Sequence, residues 1–155
     1  QVARAILLGL TRFPRLIGQH GDALADLPLN ERGLARLRDL LLDAAMEAAE
    51  LDPQALHTIL AAKGEAALVE ELSQRRGLAF SFTRRDADPE RACRDLALVI
   101  ETLAARPGID AALEAATDRL GKAWEDAAFE EQKRLLAARD EADRQLATLI
   151  EGDAD

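Results

Sequence analysis

Few side chains in this 155-residue chain could do chemistry, and their spacing limits what they could do. Glu70-Glu71 and Glu130-Glu131 are paired carboxylates, the raw material of general acid–base catalysis. Adjacent residues on a helix diverge by roughly 100°, so neither pair can close on one substrate, and both read as solvated faces. His20 and His57 are the only imidazoles. They lie far apart, have no evident acid partner in sequence and match no metal-ligand spacing such as HExxH, so they read as surface or half-buried helix residues. Cys93 is a lone thiol. It excludes internal disulfides and multi-thiolate metal sites, and its place on an apolar stripe makes it a core residue. Ser73 and Ser81 are the only serines, Tyr is absent, and no Walker A or GxSxG string occurs. Arg84-Arg85 could touch phosphate, but Asp86 and Asp88 beside it favour plain loop solvation. Trp124, the only Trp, lies among few apolar neighbours. It either caps a small core or anchors an interface, where Trp is enriched. No catalytic residue, cofactor or metal is expected.

The elements that must position these residues are helices. The chain holds 32 Ala and 27 Leu against 15 Val, Ile and Thr together, which favours helix over strand throughout. A net charge of −9 disfavours a non-specific nucleic-acid binder, which needs clustered cations. No run approaches the ~20 apolar residues of a membrane span, and no signal peptide is evident. Composition alone reads as a soluble helical domain without enzymatic equipment. The start at Gln1 suggests a piece of a longer protein.

Punctuation divides the chain. Residues 2–13 carry Ile6, Leu7, Leu10 and Phe13 at helical spacing, and Pro14 stops that run or opens the next one. Residues 14–27 repeat the pattern more weakly, with Gly18 and Gly21 inside it. Pro28 and Asn30 mark a break, Asn30 as a candidate N-cap. The 31–50 segment puts Leu34, Leu37, Leu41, Ala45 and Ala48 on one stripe. Asp52-Pro53 is a cap followed by Pro at the first helical position, and Gly64 can close that helix in a left-handed turn. A short helix through Leu68, Val69 and Leu72 ends near Gly77. In 77–88, Leu78, Phe80 and Phe82 alternate at period two, as a short strand or as a loop inserting aromatics into the bundle.

Asp88-Pro89 repeats the cap-plus-Pro start. Ala92, Cys93, Leu96, Val99, Ile100 and Leu103 then form a buried stripe. Pro107-Gly108 interrupts it, yet the pattern resumes through Ile109, Leu113, Ala116 and Leu120, leaving two helices or one long helix kinked at Pro107. A final helix, about 125–150, places Ala128, Gln132, Leu135, Arg139, Ala142, Leu146 and Leu149 on a four-three spacing. Phe129, Leu136 and Ile150 widen that seam. Two segments with matching four-three spacing predict an antiparallel hairpin packed like a short coiled coil. The expected fold is all-α: a helical bundle over 1–106, a helical hairpin over 107–150 and a frayed tail at 151–155. Residues 123–155 hold 10 acidic and 4 basic side chains, so hairpin and tail are acidic.

The phrases ARAILLGLTRFPRLIGQH, LARLRDLLLDAA and LDPQALHTIL resemble the C-terminal helicase-binding domain of bacterial (DnaG-type) DNA primase. That family opens with a helix of the form A-x-x-x-L-L, then a short polar or aromatic residue, Pro and an aliphatic pair. Phe13-Pro14-Arg15-Leu16-Ile17 is similar. Its short helices lead into a long helix and a terminal hairpin, as 89–150 does here.

The resemblance implies a non-catalytic interaction domain, with the zinc-binding and TOPRIM catalytic domains of the primase elsewhere in the longer protein. It implies docking onto the N-terminal domains of the hexameric replicative helicase, which recruits primer synthesis to the bacterial, cytoplasmic replication fork and modulates the helicase. No direct nucleic-acid, membrane or small-molecule partner is implied. The hairpin would be the docking element, with Trp124, Phe129, Leu136, Arg139, Leu146, Leu149 and Ile150 as contact candidates. Gln132 and Arg139 depart from an apolar seam. Two alternatives remain: the helicase's own N-terminal domain, or a helical regulatory bundle binding a small molecule in an internal cavity.

Overall fold

The structure, a computed structural model, describes residues 1–74, 77 and 79–150. The expected tail at 151–155 and Leu78 lie outside the described residues. Among these the chain is all-helical, with no strand: α1 (Val2–Arg12), α2 (Arg15–Gln19), α3 (Gly21–Ala25), α4 (Arg32–Glu47), α5 (Pro53–Ala62), α6 (Ala66–Gln74), a 3₁₀ turn (Ser81–Thr83), α7 (Pro89–Lys122) and α8 (Asp126–Leu149).

α1 is the axis of the bundle. Ala5, Ile6, Leu7, Leu8, Gly9, Leu10 and Thr11 are all buried in succession. A helix apolar on every side must be surrounded, and α4, α5, α6, α7 and the 3₁₀ turn pack around it. Gly9 allows the closest of these approaches: a Cβ there would lie 2.8 Å from Phe82 Cδ2 and 3.1 Å from a Leu96 methyl.

Several local expectations hold. Asp52 accepts a hydrogen bond from the Ala55 N–H at 2.7 Å, and Asp88 from Arg91 N–H at 3.1 Å, each followed by Pro at the first turn. Gly64 has φ of +81°, and beyond it the Glu65 N–H reaches back to the Leu60 carbonyl at 2.9 Å. That bond, with Gly64 N–H to Ala61 O at 3.1 Å, completes a Schellman cap.

Three expectations are corrected. Residues 14–27 form two short helices, not one, joined at His20; the poor helix formers Gly18 and Gly21 flank that break. Asn30 is not the N-cap of α4. Glu31 takes that position without a side-chain cap, because its carboxylate accepts from Arg4 Nη2 at 2.6 Å. Cys93, expected in the core, is only half-buried, with Sγ 4.0 Å from Arg15 Nη2.

The aromatics at 80 and 82 settle as a loop. Phe80 and Phe82 are fully buried, with ring centroids 4.8 Å apart and planes 13° from parallel. The chain tightens between them into the 3₁₀ turn, so both rings enter the same core. The turn is held by side chains. Thr83 Oγ1 accepts from Phe80 N–H at 3.0 Å, Ser81 Oγ donates to Asp95 at 2.6 Å, and Arg12 Nη1 donates to the Thr83 carbonyl at 2.6 Å. Burial, and then the neighbouring Arg85 charge, pushes the Arg12 guanidinium below its ordinary range.

α7 runs through Pro107 as one helix of 34 residues, roughly 51 Å long. Bundle and hairpin therefore share an element across position 107. Its first half is buried through Ala92, Leu96, Val99 and Ile100. Leu103 and Ala104 are the last apolar residues of α7 to pack against that core.

Candidate protein-docking site

Beyond Ala104, α7 pairs with α8 and projects from the bundle. The cross-links run in antiparallel register. Arg119 donates to Glu131 near the turn, Gln132 Nε2 to Thr117 Oγ1 at 3.0 Å, Arg106 to Asp143, and Thr102 Oγ1 to Gln145 Oε1 at 3.3 Å near the bundle. The innermost side chains are small: Ala116 on α7, Ala128 and Ala142 on α8. Small residues at the contact favour close helix approach. The expected seam is thus in place, and Gln132 does not weaken it, since its amide is spent on Thr117. Arg139 is half-buried, with no ion-pair partner among the described residues.

The candidate contact residues separate into two groups. At the free end, Trp124 is 65% exposed and its ring lies 4.9 Å from Phe129, tilted by 35°. Trp124 Nε1–H reaches Asp126 Oδ1 at 3.3 Å. At the other end, Leu146, Leu149 and Ile150 pack against the bundle core. Twenty residues of helix, about 30 Å, separate the two ends. Leu136 and Arg139 are half-buried between them. The seven residues therefore do not form one patch. The tip holds a compact aromatic pair, while the C-terminal trio serves the fold.

Sequence reasoning missed Lys133, whose ammonium sits 5.3 Å from the Phe129 ring centroid. The signal was present as the i, i+4 spacing from Phe129. The tip thus presents an indole, a phenyl ring and a cation over an otherwise acidic helix pair. Met46 and Leu98, the other exposed large apolar side chains among the described residues, lie on α4 and on the bundle half of α7.

The remaining candidates stay dispersed. His20 Nδ1 lies 2.8 Å from Glu101 Oε1, a partner from α7 that sequence did not reveal, and His57 is exposed. Glu70 accepts from Gln74 at 2.8 Å and Glu130 lies 3.7 Å from Lys133 Nζ, as solvated faces do. Arg84 is engaged with Asp86 at 3.2 Å and holds that carboxyl below its usual range. No group of three metal-binding side chains occurs among the described residues, and no helix is long and apolar enough to cross a membrane.

No family model, curated protein or solved structure matches the chain. The site must therefore be read from its own geometry. A groove of about 560 Å³ lined by α1, α6 and residues Gly77, Ala79 and Thr83 is the main alternative to the tip. Its polar groups are mostly spent internally: Arg4 on Glu31, Ser73 on the Glu70 carbonyl, Thr83 on Phe80. Arg4 Nη1 is a buried donor without a partner among the described residues. One spare donor is not the convergent polar set that a small-molecule pocket needs.

Proposed function

We propose that this chain is a non-catalytic interaction domain that docks through the free end of its hairpin. Taken with the resemblance of its opening helices, the partner is the N-terminal region of the hexameric replicative helicase, and the chain is the helicase-binding part of a bacterial DNA primase. The observation that carries the reading is the exposed Trp124, paired with half-buried Phe129 at the tip of an arm that leaves the core after Ala104. An isolated domain gains little by holding its one Trp in water. An interface gains much, because indole buries a large area at low entropic cost.

The test is affinity for the helicase N-terminal domains by calorimetry. Trp124→Ala should weaken binding by about 2 kcal/mol or more, roughly 30-fold in Kd, as for a central aromatic anchor. Met46→Ala, at an even more exposed apolar residue on the bundle, should leave affinity unchanged. Equal affinity for the parent chain and Trp124→Ala would place docking elsewhere.

A further inference from the structure

Pro107 sits where α7 leaves the bundle. Leu103 and Ala104 still pack against the core, and no apolar residue of α7 beyond them does. One turn on, Pro107 brings no N–H to the Leu103 carbonyl, and its ring crowds that oxygen. Sharp bends in long helices concentrate at such prolines. A projecting arm rooted on a weakened turn pivots there unless something spans the turn.

α8 spans it. Arg106, in the turn just before the proline, donates from Nε to Asp110 at 3.1 Å across it and from Nη1 to Asp143 on α8. On the bundle side, Thr102 Oγ1 donates to Gln145 Oε1 at 3.3 Å. Leu146, Leu149 and Ile150 then pack on the bundle core. The 143–150 end of α8 therefore holds the bundle side of α7 and the bundle core, while Glu131 and Gln132 of the same helix hold α7 beyond Pro107, so that α8 bridges the proline.

We infer that Pro107 is a hinge and that the 143–150 end of α8, together with Arg106, is the latch that fixes the direction of the hairpin. Releasing the latch lets the arm swing while both the bundle and the helix pair stay folded. The device rests on the contacts around Pro107 and holds whatever partner meets the tip. It supplies a way for contact at the α8 end to redirect a tip about 30 Å away.

The test is a distance distribution between spin labels on the full chain. Labels go at Met46→Cys on α4, which is 86% exposed, and at exposed Lys122→Cys beside the tip, with Cys93→Ala as background. The parent should give one narrow distance. Asp143→Asn with Leu149→Ala and Ile150→Ala should widen it about twofold, the mark of a pivot at proline. Adding Pro107→Ala should narrow it again. A triple variant as narrow as the parent overturns the latch, and a width that Pro107→Ala leaves unchanged overturns the hinge. If far-UV ellipticity shows α8 melting in the triple variant, Arg106→Gln carries the same comparison, since it cuts only the two ion pairs.

Discussion

Gly9 and Glu65 show how much of this fold depends on single side chains with no outward mark. Replacing Gly9 by Ala would gain about 1 kcal/mol of helix propensity. The new methyl would meet Phe82 at 2.8 Å and Leu96 at 3.1 Å inside a closed core, and overpacking of that kind costs roughly 1–3 kcal/mol. Gly9→Ala should therefore lower the urea midpoint, and an unchanged or raised midpoint would refute the close approach. Glu65 presents a second case. Its carboxylate is 10% exposed and meets Arg36 Nε at 2.8 Å. Because the arginine is largely in water, screening keeps the pair's own worth small, and the main effect of Arg36→Ala is an unpaired buried charge. A loss of about 1–2 kcal/mol is expected, partly recovered by Glu65→Gln in the Arg36→Ala background. Chemical denaturation of the two variants checks both signs. Neither residue was legible in the sequence. Gly9 looks like a weak spot in a helix, and Glu65 like one more surface acid, because each role arises from atoms supplied by distant segments.

At the scale of elements, local chemistry was legible and long-range pairing was not. Asp52-Pro53 and Asp88-Pro89 announce helix starts because the cap and the ring act within one turn. Asp88→Ala should accordingly cost about 1 kcal/mol, read as a lower thermal midpoint with the bundle still cooperative. A cap worth nothing would show as an unshifted melt. Asn30 misled because capping competes with other uses of a side chain: Glu31 holds the terminus while its carboxylate is drawn to Arg4 on α1. The alternation of Phe80 and Phe82 left strand and loop both open, and the loop that inserts aromatics is what forms. Period two needs a neighbouring strand to mean sheet, and here the tight 3₁₀ turn sends both rings into one core. The hairpin seam was readable from its four-three spacing. What spacing could not say was that Leu146, Leu149 and Ile150 turn onto the bundle while Trp124 and Phe129 point away from it. That distinction depends on how far α7 travels before it leaves the core.

For the molecule as a whole, the bundle and the arm are built on different budgets of burial. Leu41 and Ile100 are almost wholly buried in the bundle, and Leu41→Ala or Ile100→Ala should each cost about 2–5 kcal/mol. Unfolding in denaturant measures this, and near-zero loss at both would mean the core is elsewhere. The arm buries few large side chains and carries charge instead: residues 107–150 hold 10 acidic and 6 basic side chains, net −4. Under the proposed function the complementary surface is basic, so association should slow as salt rises while dissociation changes little. Stopped-flow mixing across a salt series decides this, and a salt-independent association rate would remove charge from the recognition.

The position of the one indole has a spectroscopic corollary. With no Tyr in the chain, Trp124 is the main source of near-ultraviolet emission, and it stands in water at the tip, remote from the bundle core. Its fluorescence should already resemble that of an unfolded chain in the native protein. Heating or denaturant would then dissolve the bundle with scarcely a change in colour. A blue shift on mixing with a second protein would report that the tip has been covered, against an almost silent background.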